Sequence, residues 1–218
     1  MQKQNKIFFL LFILLNSTNF YCNKSSIFLP KHGDLVFQDL DSSPLCDAIE
    51  QVTDGFDNKN FSHIGIVMVM NKTHYVLEAF SNGVDTIPLK KFLSRNLDKN
   101  SNPKVIVGRL KQEYQQLIPV AIEYAKNLIG KDYDEEFKIN NNKFYCSELI
   151  YEIFYRANDK KDFFFLQPMT YKKNGETLII WEEYFEKLKI PIPEKELGIN
   201  PGAISLSQKI NIIHDYQQ

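Results

Sequence analysis

The chain has 218 residues and a mass of 25.5 kDa, a size that suits a single domain. Hydrophobic residues make up 44% and charged residues 24%, which excludes an intrinsically disordered chain, and a net charge of −1 disfavours binding to nucleic acid. Three cysteines without a CxxC pair argue against a disulfide scaffold and against a structural zinc site.

Residues 1–22 have the pattern of a secretory signal peptide. Lys3 and Lys6 precede nine unbroken apolar residues, Ile7–Leu15, and a polar stretch follows them. Nine helical residues span about 14 Å, less than the ~30 Å hydrocarbon core, so the run is too short to cross a membrane. Because the pattern is that of a signal peptide, we predict export to the periplasm or cell envelope. Cys22 closes this region and leaves two alternatives open: a soluble exported protein, or a protein anchored to the membrane by lipid on Cys22.

The rest of the chain mixes short strands with helices. A strand is predicted at Leu35–Phe37 and a helix at Leu45–Val52, while Ile64–Met70 and Tyr75–Phe80 read as two strands of a β-hairpin. Further strands are predicted at 86–89 and 104–110, and further helices at 90–97, 114–129, 146–157 and 181–188. Because the middle strands follow one another directly, an α+β fold with an antiparallel sheet is favoured over a doubly wound fold.

Cys146 stands at the start of the predicted helix 146–157. Positions 146, 149, 150, 153 and 157 share one helical face, so the thiol points toward the body of the protein. A helix N-terminus carries partial positive charge and unpaired N–H groups, which stabilise a thiolate and a developing oxyanion. Cys146 is therefore a candidate nucleophile, although taken alone an ordinary buried cysteine is the more common case.

A nucleophilic thiol needs a base, and the predicted hairpin provides one. If its turn has two residues, Gly65 faces Glu78, and His63 lies diagonal to Glu78 on the same face of the sheet. Glu78 is a charged residue in an otherwise apolar strand and needs a partner when it is buried. His74 would lie on the same face of the strand as Glu78 and is therefore a rival for the orienting role. With a three-residue turn, Glu78 would no longer share a face with His63.

Five segments, in this order, resemble the YiiX/YebB-like group of NlpC-type cysteine hydrolases. They are Gly33–Phe37, Phe61–Val67, Val76–Ala79, Tyr133–Phe137 and Phe144–Tyr151. The resemblance covers roughly residues 30 to 210. It implies a circularly permuted papain-like fold in which the histidine strand precedes the cysteine helix, with the antiparallel sheet packed against that helix.

The resemblance also implies roles for individual residues. Cys146 would be the nucleophile, His63 the general base and Glu78 the acid that orients the histidine. Candidate substrate or oxyanion contacts near the cleft are Tyr133, Tyr145 and Ser147. Asp34, in the opening Gly-Asp turn, is expected to have a structural role instead.

We therefore predict an exported cysteine hydrolase that cleaves an amide bond, and relatives of this type favour a cell-wall-type peptide such as one derived from peptidoglycan. Two alternatives stay open. An acyltransferase or thioesterase acting on lipids would need an apolar channel leading to Cys146, and a non-catalytic binding module of the envelope would need no reactive thiol. No cofactor or metal is predicted, because the four histidines show no ligand spacing.

The catalytic core is predicted over 30–160, and residues 161–218 form an extension packed on the same domain. Four positions in it, Pro191, Pro193, Pro201 and Gly202, predict a long surface tail. Cys22 and Cys46 could pair in an oxidising compartment, which would leave Cys146 free. The sequence leaves this pairing and the oligomeric state open.

Overall fold

A computed structural model describes residues 28–218, so the predicted signal peptide and Cys22 lie outside the described residues. The strands are β1 Leu35–Gln38, β2 His63–Met70, β3 Thr73–Phe80, β4 Gly83–Pro88, β5 Val105–Leu110, β6 Gln167–Pro168, β7 Lys172–Lys173, β8 Glu176–Thr177, β9 Leu197–Gly198 and β10 Ile210–Asp215. The α-helices are α1 Pro44–Gln51, α2 Leu89–Leu93, α3 Ile118–Asn127, α4 Cys146–Ala157, α5 Ile179–Leu188 and α6 Pro201–Ser205. Short 3₁₀ helices lie at Phe56–Asn58 and Gln112–Leu117.

Six strands form one antiparallel sheet in the order β10-β5-β1-β2-β3-β4. Helix α4 packs against β2 and β3 and has α3 beside it. Its inner face buries Leu149, Ile150, Ile153 and Phe154 completely, which removes their apolar surface from water. The predicted α+β class, with an antiparallel sheet packed against the cysteine helix, is confirmed.

The β2–β3 hairpin has the predicted register. Its two turn residues, 71 and 72, have φ of 48° and 64°, and Met70 pairs with Thr73. Positive φ at both positions gives the turn a twist that matches the flanking strands. Continued toward the start of β2, this register brings Gly65 opposite Glu78, where a Cβ on Gly65 would lie 3.4 Å from the Glu78 Cβ.

Two helices are shorter than their sequence patterns predict. The segment 114–129 divides into the 3₁₀ helix that ends at Leu117 and helix α3, which begins at Ile118. Pro119 sets this boundary, because a residue without an N–H fits only the first turn of an α-helix. The segment 90–97 is helical only as far as Leu93, and the chain then turns so that Arg95 reaches β3.

The C-terminal segment, residues 161–218, is not the surface tail that its prolines predict. Strand β10 pairs with β5 and forms one edge of the central sheet. Pro201 is the first residue of α6, where its missing N–H leaves no hydrogen bond unmade. The segment also adds Phe163, Trp181 and Ile199 to the main core. Within residues 28–218, no helix is both long and apolar enough to cross a membrane.

Candidate active site

Cys146 is the first residue of α4, with Tyr145 at the N-cap position. The first backbone hydrogen bond runs from the N–H of Leu149 to the carbonyl of Tyr145, so the preceding N–H groups have no partner within the helix. The Cys146 side chain is 6% exposed, and its Sγ lies 3.9 Å from the carbonyl oxygen of Ser62. The thiol therefore faces the start of β2 and lies in the positive potential of the helix end.

His63 and Glu78 meet in the sheet where the hairpin register predicts. The distance from His63 Nε2 to Glu78 Oε2 is 2.7 Å, and the two side chains are 3% and 2% exposed. Phe80 and Phe92 pack on the imidazole with ring centroids 5.1 and 5.9 Å away. The thiol of Cys146 lies close enough to the imidazole to raise the pKa of His63. Since Nε2 faces Glu78, Nδ1 is the nitrogen left for the thiol.

The charges around His63 favour its protonated form. Burial lowers the pKa of His63, but hydrogen bonds to Cys146 and Glu78 and the negative charge of both raise it to about 9. Burial acts to raise the pKa of Glu78, yet His63 and Arg95 hold it below its ordinary value. At neutral pH an imidazolium beside a carboxylate is therefore the favoured state, and His63 can hold a proton taken from the thiol.

Arg95, which the sequence reasoning missed, completes this buried charge group. Its guanidinium donates from Nη1 to Glu78 Oε2 at 2.8 Å and from Nη2 to Glu78 Oε1. The guanidinium also lies over the ring of Phe80, 4.3 Å from the centroid. A two-pronged ion pair fixes both carboxylate oxygens, so Glu78 keeps its orientation toward His63. Among the contacts of the described residues, the rival His74 has none with this group.

Ser147 and Tyr145 hold the C-terminal segment against α4. The Ser147 hydroxyl donates to the carbonyl of Ile199 at 2.8 Å, and the N–H of Ile199 donates to the Tyr145 hydroxyl at 3.1 Å. The Ser147 side chain is 1% exposed and its hydroxyl is already bonded, while Ser147 also belongs to the lining of the neighbouring pocket, so its contact with substrate or oxyanion stays a prediction. The backbone N–H of Ser147 still lies in the first turn of α4, and the Tyr145 ring lines the neighbouring pocket.

Tyr133 is held near Cys146 by an ordered loop. Asp134, which is fully buried, accepts hydrogen bonds from the N–H groups of Glu136 at 3.0 Å and Lys138 at 2.7 Å. Burial, followed by the negative charge of Cys146, raises the pKa of Tyr133 well above its ordinary value. The Tyr133 hydroxyl therefore keeps its proton and can donate it to an oxyanion.

A pocket of about 200 Å³ opens beside the Cys146 thiol. Its walls come from the end of α1, Ser62 before β2, the loop before α4, the first turn of α4 and the C-terminal segment. They include Ile49, Tyr133, Phe137, Met169, Tyr171 and Trp181. A cavity of this kind, apolar and next to a reactive group, is the usual form of a substrate pocket.

Asp34 has the structural role that the sequence predicts. Its carboxylate accepts the backbone N–H of Lys31 at 2.6 Å and closes the turn that contains Gly33, whose φ is 87°. Arg109 of β5 donates two further hydrogen bonds to the same carboxylate, each 2.7 Å long. These contacts fix the start of β1 against its neighbour in the sheet.

Three carboxylates, on Asp39, Asp41 and Glu50, come together near α1 within the described part of the chain. The ammonium of Lys104 lies 3.1 Å from Asp39 and 2.7 Å from Asp41, so a cation of the chain already neutralises two of them. Burial raises the pKa of Glu50 to about 7, and its carboxylate accepts a hydrogen bond from Ser62. These contacts fit an ion-pair network better than a metal centre.

Comparison with known proteins agrees with this geometry. A family model described as "Permuted papain-like amidase enzyme, YaeF/YiiX, C92 family" matches residues 30–211. The uncharacterized protein YiiX of Escherichia coli K12 is 30% identical over 128 residues, which cover 59% of this chain and 59% of that protein. The crystal structure of "metalloprotein yiiX" from Escherichia coli O157:H7 is similar with a TM-score of 0.68 and 25% identity, over 86% of this chain and 98% of that one. The chain therefore belongs to the permuted papain-like amidase family, Peptidase_C92.

Proposed function

We propose that this protein is a cysteine hydrolase in which Cys146, His63 and Glu78 form a triad that cleaves an amide bond. The observation that carries the proposal is the buried His63–Glu78 contact of 2.7 Å, with the Cys146 thiol at the start of α4, facing the beginning of β2 and close enough to His63 to raise the pKa of the imidazole. Such an arrangement provides a nucleophile, a base and an orienting acid. Membership of an amidase family supports the same reaction class.

The first half of the proposed reaction forms an acyl-enzyme. His63 takes the proton of the Cys146 thiol, and the thiolate attacks the carbonyl carbon of the amide. The oxyanion of the tetrahedral intermediate accepts hydrogen bonds from the N–H groups at the start of α4 and from the Tyr133 hydroxyl. When the C–N bond breaks, His63 gives its proton to the leaving amine, and a thioester on Cys146 remains.

The second half of the proposed reaction regenerates the thiol. His63, now neutral, takes a proton from a water molecule, and the resulting hydroxide attacks the thioester carbon. The C–S bond breaks, the product leaves as a carboxylic acid, and the thiolate of Cys146 again faces an imidazolium. Glu78 keeps the ring oriented through both halves and balances its positive charge.

For location and substrate, we propose export through residues 1–22 and action on a molecule of the cell envelope, with a cell-wall-type peptide as the first candidate. The two lysines, Lys3 and Lys6, and the short apolar run that follows them support export. A lipid-directed acyltransferase or thioesterase is the second candidate, supported by the aromatic walls of the pocket at Cys146.

Alkylation of Cys146 by iodoacetamide tests the triad without knowledge of the substrate. The rate is measured by peptide mass mapping from pH 5.5 to 9 in the native sequence and in His63→Ala, with Cys46 as an internal reference in the same molecule. We expect fast modification of Cys146 below pH 8 that slows by about tenfold or more in the variant. A Cys146 rate that follows that of Cys46 and ignores the substitution would contradict the triad.

Hydrolysis assays then separate the two substrate candidates. Cell-wall peptides and fatty-acyl amides and thioesters are incubated with the native sequence and with Cys146→Ala, and products are identified by mass spectrometry. We expect cleavage that Cys146→Ala abolishes and that His63→Ala lowers by about 10²–10⁴-fold. Cleavage that persists in Cys146→Ala would assign the reaction to another group.

A further inference from the structure

Apart from Cys146, which reacts as a thiolate, the pocket beside it has no charged side chain in its lining, as far as the described residues 28–218 are concerned. Its apolar surface comes from Phe137, Trp181 and Met169 among others, and its polar members, such as Thr53 and Gln167, are neutral. The lining therefore distinguishes groups by charge as well as by size.

We infer that this pocket binds an uncharged, apolar group of the substrate, an aliphatic chain or an aromatic ring, directly beside the scissile bond. The inference rests on the proposed function, because the pocket is assigned to the substrate by its opening onto Cys146. A carboxylate or ammonium placed against these walls would lose part of its hydration, and the walls around Cys146 offer no opposite charge in exchange, which is costly. An acidic or diamino residue of a cell-wall peptide would have to lie outside this pocket.

The volume of the pocket limits the size of the group that it can bind. An apolar cavity of about 150 Å³ is enough to bind benzene, and the pocket here has about 200 Å³. A phenyl ring or a chain of about six carbons therefore fits within it. Each methylene removed from water is worth about a fourfold gain in binding, so chain length has a measurable effect up to that limit.

A series of iodoacetamides with different N-substituents tests the inference without any substrate. The substituents are hexyl, benzyl, 2-carboxyethyl and 2-aminoethyl, and the rate at Cys146 is divided by the rate at Cys46 to cancel the intrinsic reactivity of each reagent. We expect the hexyl or benzyl reagent to exceed both charged reagents by about tenfold or more. A hexyl rate above the benzyl rate indicates an aliphatic chain, and the reverse order indicates an aromatic group.

Pocket variants connect this preference to the lining. Met169→Glu places a carboxylate in the wall, and Met169→Leu is the matched apolar control. Gln167→Glu, at an exposed position on the rim, adds the same charge with almost no change of shape and little risk to folding. We expect both glutamate variants to raise the 2-aminoethyl rate and lower the 2-carboxyethyl rate, and Met169→Leu to leave the native order unchanged.

The outcomes separate this inference from the proposed function. Charged reagents that match or exceed the apolar reagents at Cys146 would overturn the inference, and so would glutamate variants that leave the rates of the charged reagents unchanged. His63→Ala with unsubstituted iodoacetamide reports on the triad alone. If His63→Ala slows alkylation of Cys146 but apolar reagents react no faster than charged ones, the assignment of the pocket is refuted and the hydrolase proposal still stands.

Discussion

Glu78→Gln removes one negative charge from between His63 and Arg95 and keeps the shape of the side chain. Both cationic partners then face a neutral amide in a buried site, and breaking a buried ion pair costs about 3–5 kcal/mol of unfolding free energy. The amide oxygen still accepts one hydrogen bond, and Arg95 is 20% exposed, so it keeps some hydration. We therefore expect a cost near the lower bound, about 3 kcal/mol at pH 6.

The loss of unfolding free energy caused by Glu78→Gln depends on pH, because the protonation of His63 changes with pH. The pKa of His63 rises from 6.5 to about 9 on folding, so its stabilisation is complete below pH 6.5 and is lost as the pH rises through 9. This pKa difference corresponds to about 3 kcal/mol, which is the net of burial, which opposes it, and of Cys146 and Glu78, which raise the pKa. Because the pKa of Glu78 is lowered from 4.5, its stabilisation is lost as the pH falls below that value. The cost should therefore be greatest at about pH 5 to 6.5 and smaller by about 1–2 kcal/mol near pH 9.

Urea unfolding at pH 5.5, 7 and 9 measures this difference. The matched control is Glu123→Gln, whose carboxylate is 69% exposed and pairs with Lys126 on the surface of α3. We expect the control to cost less than about 0.5 kcal/mol at every pH. A Glu78→Gln cost that stays constant from pH 5.5 to 9, or that equals the control, would refute the coupling between Glu78 and His63.

Three further substitutions separate orientation, anchoring and catalysis. Arg95→Lys keeps the charge but loses one of the two hydrogen bonds to Glu78, so urea unfolding should show a loss of about 1–2 kcal/mol, and full stability would argue against the two-pronged contact. Ser147→Ala should cost about 1 kcal/mol by loss of the Ile199 contact while the thiol alkylation rate stays native, and a slowed rate would assign Ser147 to the reactive site. Tyr133→Phe should lower hydrolysis of the identified substrate by about 10²-fold and leave alkylation unchanged, whereas an unchanged hydrolysis rate would remove Tyr133 from the oxyanion site.

The central geometry could be predicted because local rules determine it. A two-residue turn fixes the register of a hairpin, and the register fixes which side chains share a face, so His63 and Glu78 are placed by counting residues. The start of α4 at Cys146 follows in the same way from helical periodicity. Both inferences need only residues that lie close together in the sequence.

Arg95 and strand β10 could not be predicted in this way. Arg95 follows a short helix and reaches Glu78 only because the chain turns after Leu93, and no local periodicity records such a turn. Strand β10 pairs with β5 about a hundred residues earlier, and a register shift between Ile212 and His214 interrupts its pattern. Long-range pairing of this kind depends on the packed core and not on the residues of one segment.

The catalytic core and the C-terminal segment, residues 161–218, contribute differently to the site. The proposed triad belongs to β2, β3 and α4, whereas Met169, Tyr171 and Trp181 of the pocket wall belong to the C-terminal segment. Ile199 joins the two parts through its hydrogen bonds with the first turn of α4. Because the wall is attached at the helix end that carries the thiol, substitutions in it can change which group fits beside Cys146 without moving His63 or Glu78. Substitutions in the C-terminal segment should therefore change which substrate group is preferred, whereas substitutions in the sheet should change the reactivity of the thiol.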